Sequence, residues 1–409
     1  MRKKQLHLWL KGEKMNGKEP LWTNSFIRIW FVNFSIYVWM FVLTPVFPFY
    51  IKNLGGTEMT VGLAAGGYAL ASILMRPFAG WILDNRSRSV LLKFGIIGLV
   101  LITLLFLTAP VLSLVFILRI ISGFVFSGVT TSSNTNVTDI IPKSRFGEGM
   151  AFLGLGNTLS SALGPVLGLL IMAHFGFGAS FLAAAILVMV AFMATIGLGF
   201  KKIEHSEESV PRRRFVLSNL FNKATLPASV LALCTSTVYS GLITFIALYS
   251  QISGLGISAL YFLLIAVGTG SSRIFSGHLT DKKGEQPNII VGSIGLMLGL
   301  LLLLFVNNIT FYLSGLFFGL GFGFVNPALQ TMAVRTVPPE KRGSASSTYL
   351  VLVDIGSGLG GFVAGLLVTI WGYRPMFGSM TIFIVILWLI YVLWASKTPQ
   401  AFKNYKGAT

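Results

Sequence analysis

The chain reads as long apolar runs cut by short polar ones. A run of about 20 mostly apolar residues is the length that crosses the hydrocarbon core of a bilayer. Such runs occur twelve times, roughly at 27–50, 58–83, 90–110, 111–137, 148–172, 178–200, 224–250, 256–279, 288–306, 308–335, 344–371 and 376–396. The interruptions at 2–18, 86–93, 143–145, 201–223, 282–283, 335–342 and 397–406 are basic. The longest of them, 201–223, mixes Glu204, Glu207 and Glu208 with Arg212, Arg213 and Arg214. It predicts a linker, with room for a short amphipathic helix on the membrane surface. It leaves six spans on each side.

Those two sides repeat each other. Residues 75–84 read Met-Arg-Pro-Phe-Ala-Gly-Trp-Ile-Leu-Asp, and residues 272–281 read Ser-Arg-Ile-Phe-Ser-Gly-His-Leu-Thr-Asp. At the same offset of 197, with no gap, Gly95 matches Gly292, Gly98 matches Gly295 and Leu99 matches Leu296. Pro142, Arg145, Ser160, Gly164 and Gly168 match Pro339, Arg342, Ser357, Gly361 and Gly365. Glycines in membrane helices let backbones approach, so the repeat is expected to preserve packing. Parallel six-helix repeats of this kind occur in secondary transporters. The expected fold is an all-α membrane protein of 12 transmembrane helices in two six-helix pseudo-symmetric bundles. The expected domains are a cytoplasmic tail 1–26, bundles at 27–200 and 224–396 joined by the linker 201–223, and a cytoplasmic tail 397–409.

Composition agrees with a lipid solvent: 54% of residues are hydrophobic, 11% are charged, and mean hydropathy is +0.79. A net charge of +18 raises the question of nucleic acid, but the placement of the charges answers it. Twenty-six of the 31 Lys and Arg fall in loops and tails on one side of this topology, Arg28 being counted with the first. Only Lys52 and Arg374 fall on the other side, and Arg76, Arg119 and Arg273 lie inside apolar runs. That asymmetry is the positive-inside rule. It predicts a multi-pass protein of the plasma membrane with both termini cytoplasmic, in contact with anionic lipid headgroups and not with nucleic acid. The first 20 residues contain no apolar signal-peptide core, and Met15 is an alternative start. The lone Cys234 excludes an intramolecular disulfide and a cysteine-rich metal site.

Gly80-Trp-Ile-Leu-Asp84-Asn-Arg-Ser-Arg88 resembles the signature between spans 2 and 3 of the major facilitator superfamily. The resemblance covers all twelve spans and implies that Asp84 and Arg88 help latch the two halves on the cytoplasmic side. Asn85 and Ser87 depart from the family's usual Arg and Gly, whereas Gly277-His-Leu-Thr-Asp281-Lys282-Lys-Gly284 keeps both the base and the glycine. Physically, an Asp at a helix end can cap a neighbouring helix N-terminus, and Arg88 can pair with Asp139. Simple charge anchoring is the alternative use of the basic residues. Arg76 and Arg273 lie eight residues before their Asp and are expected to snorkel.

Arg119 lies too far from the cytoplasmic end of span 4 to snorkel there. Gly123, Ser127, Thr130 or Thr131, and Asn134 continue from it at helical spacing, a stripe suited to line a wet cavity. Arg119-Ile-Ile-Ser122-Gly123 resembles the family motif whose Arg is linked to proton transfer, with Ser122 in place of Gln and Leu316 at the matching place in the second half. A structural Arg near the outer headgroups is the alternative. In span 5, Gly164-Pro165-Val-Leu-Gly168-Leu169 resembles the family's antiporter signature except for Leu169. Its Gly-Pro pair suits a kink or seal.

Asp354 is the one carboxylate placed near mid-membrane, where an acid is costly and marks function by default. Its counterpart at offset 197 is Asn157, so the fold accepts a neutral group there, which favours a titrating role for Asp354. The alternative is an Asp satisfied by hydroxyls such as that of Ser357. Asn33, Tyr37 and Met40 share one face of span 1, and with Ser127, Asn134, Asn157, Tyr239, Asn326 and Gln330 they form the candidate substrate-binding set. His174 and His278 sit at helix ends and are not read as metal ligands; no metal or cofactor is expected. There is no Gly-x-x-x-x-Gly-Lys-Ser/Thr loop for ATP and no hydrolase constellation, so the chain is not expected to be an enzyme.

The combined reading is a monomeric secondary transporter resembling the 12-span drug:proton antiporter branch. Its expected activity is proton-coupled export of a small organic molecule by alternating access. Asp354 and Arg119 couple the proton. Gly80, Asp84, Arg88, Asp139, Gly277, Asp281 and Lys282 gate. Gly164, Pro165 and Gly168 form the kink. An uptake symporter or facilitator of the same fold, or a channel or lipid scramblase, are the alternatives. The residues do not specify the substrate.

Overall fold

The computed structural model describes residues 20–85, 88–198, 222–305, 307–337 and 342–394. Within these, the side chains of 84, 85, 88, 143, 147, 151, 278, 281, 282 and 342–344 are not described. Most of the N-terminal tail, the linker through residue 221 and the C-terminal tail lie outside the described residues.

Among the described residues, eleven α-helices account for the twelve expected spans. They are α1 Asn24–Asn53, α2 Glu58–Asn85, α3 Arg88–Leu107, α4 Leu112–Ile140, α5 Phe146–Thr195, α6 Leu226–Ile252, α7 Ser258–Lys283, α8 Gln286–Leu302, α9 Asn308–Arg335, α10 Arg342–Trp371 and α11 Tyr373–Leu393. Ten are long and apolar enough to cross a membrane, and α8 is a shorter apolar helix. α5 holds 50 residues, more than twice what one span needs. It breaks at Gly176, whose φ of 80° is left-handed and suits only a residue without Cβ. Spans 5 and 6 are therefore the two arms of α5, and the remaining helices are one span each. Large side chains such as Phe94, Ile274 and Leu393 remain exposed on the helices, as a lipid-facing surface requires. Helix ends find local partners: the Asn307 carboxamide accepts from Thr310 N at 2.8 Å, and Arg28 donates to Ala194 O at 2.9 Å and to Ile196 O at the end of α5.

The packing separates into two compact units. The first takes the described parts of Met1–Leu43, Ala71–Pro110 and Ile121–Arg214. Inside it, Trp39 Nε1 donates to Thr103 Oγ1 at 2.8 Å, tying α1 to α3, and Trp30 Nε1 donates to Phe152 O at 2.9 Å, tying α1 to α5. The second takes the described parts of Thr44–Leu70, Val111–Ile120 and Phe215–Thr409. Its helices meet backbone to backbone. A methyl group on Gly268 would stand 2.5 Å from Leu316 O, and one on Gly295 would stand 2.9 Å from Gly321 Cα. These contacts fix α7 and α8 against α9. Glu285, buried before α8, binds Arg335 at the end of α9 at 2.8 Å.

The repeat preserves some contacts and turns others. Gly95 and Gly98 of α3 face Val129 and Val125 of α4, and Gly292 and Gly295 of α8 face α9 in the same way. Gly164 and Gly168 of α5 face Phe41 and Val42 of α1. Their partners at offset 197, Gly361 and Gly365, face α2 instead; the α10 glycines that meet α6 are Gly356 and Gly360. An ungapped alignment equates positions in sequence. One residue more or less turns a helix by about 100°, so it does not equate faces.

Candidate functional site

Arg119 is 8% exposed and lies between two rings of its own unit. Its guanidinium carbon stands 4.2 Å from the centroid of Phe47 on α1 and 4.2 Å from that of Tyr68 on α2. A guanidinium over a ring gains about 0.5–2 kcal/mol, more as water is removed. The two ring contacts offset part of the cost of burying the charge. Sequence reading places Arg119 inside span 4, as α4 has it, but misses both rings.

Asp354 is the thirteenth residue of α10, about 18 Å along the helix from its start. Every other carboxylate in the described helices or flanking them lies within three residues of a helix end. Asp354 is partly buried. It stands four residues before Gly358, seven before Gly361 and eleven before Gly365, the glycines that face α2. It therefore belongs by register to that face. The Ser357 hydroxyl donates to Val353 O at 2.9 Å, inside its own helix. Asn157 stands seven and eleven residues before Gly164 and Gly168, on the face toward α1, and its Oδ1 is buried without a hydrogen-bond partner.

In the first unit Gly123, Ser127 and Asn134 of the α4 stripe meet other helices, while the Thr130 and Thr131 hydroxyls donate within α4. Ser72 Oγ donates to Gly123 O at 2.9 Å, and Ser127 Oγ donates back to Ser72 O at 2.8 Å, clamping α2 to α4. Asn33 is 1% exposed and donates to Ser133 Oγ at 3.0 Å and to Asn134 Oδ1 at 2.9 Å. Tyr37 meets Phe126 edge-on at 6.1 Å, and Tyr37 and Met40 are half-buried. In the second unit Tyr239 stacks on Phe322 with ring centroids 4.3 Å apart and lies near Phe318. Tyr349 OH donates to Asn326 O at 3.4 Å, and Gln330 is exposed.

The latch positions fall at helix ends. Asp84 is the penultimate residue of α2, Arg88 the first of α3, and Asp281 and Lys282 close α7; their side chains lie outside the described residues. Asp139 is exposed near the end of α4, and Gly80 and Gly277 have open space where a Cβ would stand. Gly164 and Pro165 keep helical dihedrals, since α5 departs from them only at Gly176. Gly164 and Gly168 are close-contact positions: a methyl group on Gly164 would run into Phe41, and one on Gly168 would run into Val42 O and stand 3.0 Å from Val42 C.

Sequence reading also misses a polar triad at the other end of α2. Glu58, its first residue, accepts from Lys52 Nζ at 2.9 Å and from Tyr373 OH at 3.3 Å. The signal was present: Lys52 is one of two bases on that side, and an acid follows six residues later.

With this geometry in view, the family profile described as Major Facilitator Superfamily matches residues 29–361 and, in a second overlapping segment, 289–408. The chain is 24% identical over 397 residues to the multidrug resistance protein MdtG of Proteus mirabilis, covering 93% of this chain and 97% of that one. It is 22% identical over 380 residues to the staphylopine export protein of Staphylococcus aureus, covering 88% and 94%. Among solved structures it resembles a bacterial homolog of the human lysosomal transporter spinster, with TM-score 0.73 and 15% identity over 91% of this chain and 96% of that one.

Proposed function

Because this chain belongs to the Major Facilitator Superfamily and is a multi-pass membrane transporter, not an enzyme, we propose that it exports a small organic molecule in exchange for protons across the plasma membrane. The observation that carries the proposal is Asp354, the one described carboxylate set far from any helix end. A proton from outside neutralises Asp354, substrate leaves to the outside, and the Asp84 and Asp281 latches release as the two halves, 27–200 and 224–396, rock about the linker. One charge moving down 100 mV supplies about 2.3 kcal/mol, enough for roughly fiftyfold accumulation. Arg119, fixed between Phe47 and Tyr68, supplies a standing positive charge in the same unit as Asp354. Export is favoured as the direction because two relatives are named for multidrug resistance and for export.

The test is transport by the purified full chain in liposomes. Asp354→Asn abolishes proton-driven counterflow and leaves substrate exchange intact. Undiminished proton coupling in that variant would overturn Asp354 as the carrier.

A further inference from the structure

Within the second unit the first half of α2 lies along α10 in an antiparallel seam made by glycines. A methyl group on Gly62 would stand 2.8 Å from Gly361 O and 3.0 Å from Gly365 Cα; one on Gly66 would stand 3.4 Å from Phe362 Cβ; one on Gly358 would stand 2.8 Å from Ala69 Cβ. At Gly62 and Gly358 no wider residue fits without parting the helices, whereas at Gly66 a Cβ would stand in ordinary contact. At its outer end sits Glu58, holding Lys52 from the end of α1 and Tyr373 from the start of α11. Tyr373 is aimed by Gly372, whose φ of 82° turns the chain sharply between α10 and α11, and by stacking on Tyr249 at 5.9 Å. At its inner end, one turn past Gly358 on the same face of α10, sits Asp354.

From this arrangement we infer that Lys52, Glu58 and Tyr373 form a lock on the face opposite the basic loops, and that the seam behind it is the barrier between that face and Asp354. Glu58 is thus a positioning residue for transport: it accepts from a first-half base and a second-half phenol at once, so it holds only when the two helices meet. Its release lets the seam part and gives protons from that side a path to Asp354. This last step rests on the proton-carrier reading of Asp354; the lock does not.

The experiment uses the full chain in cells, with Cys234→Ala removing the one native thiol. An Ala65→Cys thiol, placed in the seam, is labelled from outside with a membrane-impermeant maleimide. Glu58→Gln and Tyr373→Phe each raise the labelling rate up to about fivefold, the effect of losing one partly exposed polar contact. Tyr373→Phe keeps the ring and its stacking, so a merely structural role for the ring would leave labelling unchanged. In a second measurement, Gly66→Cys with Phe362→Cys cross-links on oxidation, the Cβ atoms being close to disulfide range. Glu58→Gln slows that reaction by less than half, because the closed seam remains the major state; complete loss of cross-linking would signal collapse of the helix pair and overturn a two-state lock. Unchanged labelling in both lock variants would also overturn the lock, whatever Asp354→Asn does. Undiminished coupling in Asp354→Asn would overturn the proton reading and leave the lock standing.

Discussion

Arg119 shows what a buried charge requires of its neighbours. With Phe47 and Tyr68 each 4.2 Å from its guanidinium carbon, its flat, weakly hydrated group suits ring contact better than a compact, strongly hydrated ammonium. Arg119→Lys keeps the charge and weakens the ring contacts. The purified variant should lose about 1–2 kcal/mol of stability, read as a thermal midpoint a few degrees lower. An unchanged midpoint would show that the rings do not hold the group. The positions of Arg119 and Asp354 along their helices were legible in the sequence because a charge stands out in an apolar run. Their surroundings were not, since Phe47 and Tyr68 lie on other helices and look like ordinary membrane aromatics. The stripe at Gly123 and Ser127 was legible as polar but not in its use. A wet wall and a neighbouring helix both call for polar groups at the same spacing, and here Ser72 of α2 is the partner. Asn33 gives the same lesson, its carboxamide being taken by Ser133 and Asn134.

At the level of helices, the apolar runs predict nearly every boundary to within a few residues, because bilayer thickness fixes the length of a span. Runs 148–172 and 178–200 emerge as the arms of α5 on either side of Gly176. What the runs cannot give is rotation about each helix axis. The offset of 197 aligns Asn157 with Asp354, yet Asn157 falls on the face of α5 toward α1 and Asp354 on the face of α10 toward α2. The contrast between the two residues therefore compares different surroundings, and the case for Asp354 rests on its depth and its place at the end of the seam. The glycines offer a direct test of which contacts are tight. Gly168 meets the backbone of Val42, which cannot turn aside, whereas Gly154 of the same helix has nothing within 4 Å. Gly168→Ala should destabilise the protein by about 1–3 kcal/mol through overpacking, and Gly154→Ala should leave it unchanged or slightly more stable. Equal thermal midpoints for the two variants would contradict the close approach of α5 to α1.

For the whole molecule the decisive object is α2, which begins at Glu58 and carries Asp84 next to its last residue. The two acids are separated by about 39 Å of helix at 1.5 Å per residue, more than the roughly 30 Å of the hydrocarbon core. The helix is thus long enough to span the core with an acidic residue near each end. In the proposed alternating cycle the two carboxylates act against each other: the inferred Glu58 lock favours the state closed on its face, and the proposed Asp84 latch favours the state closed on the basic face. Loosening either one tips the same equilibrium in opposite directions. Asp84→Asn should therefore lower external labelling of the Ala65→Cys thiol, where Glu58→Gln raises it. The sites are too far apart to share partners, so their effects should add, and the double variant should label near the native rate. A double variant that labels as fast as Glu58→Gln alone would remove Asp84 from the latch. A double variant slower than the native lock would show that Glu58 holds less than Asp84 does, and that the resting state is set from the basic face.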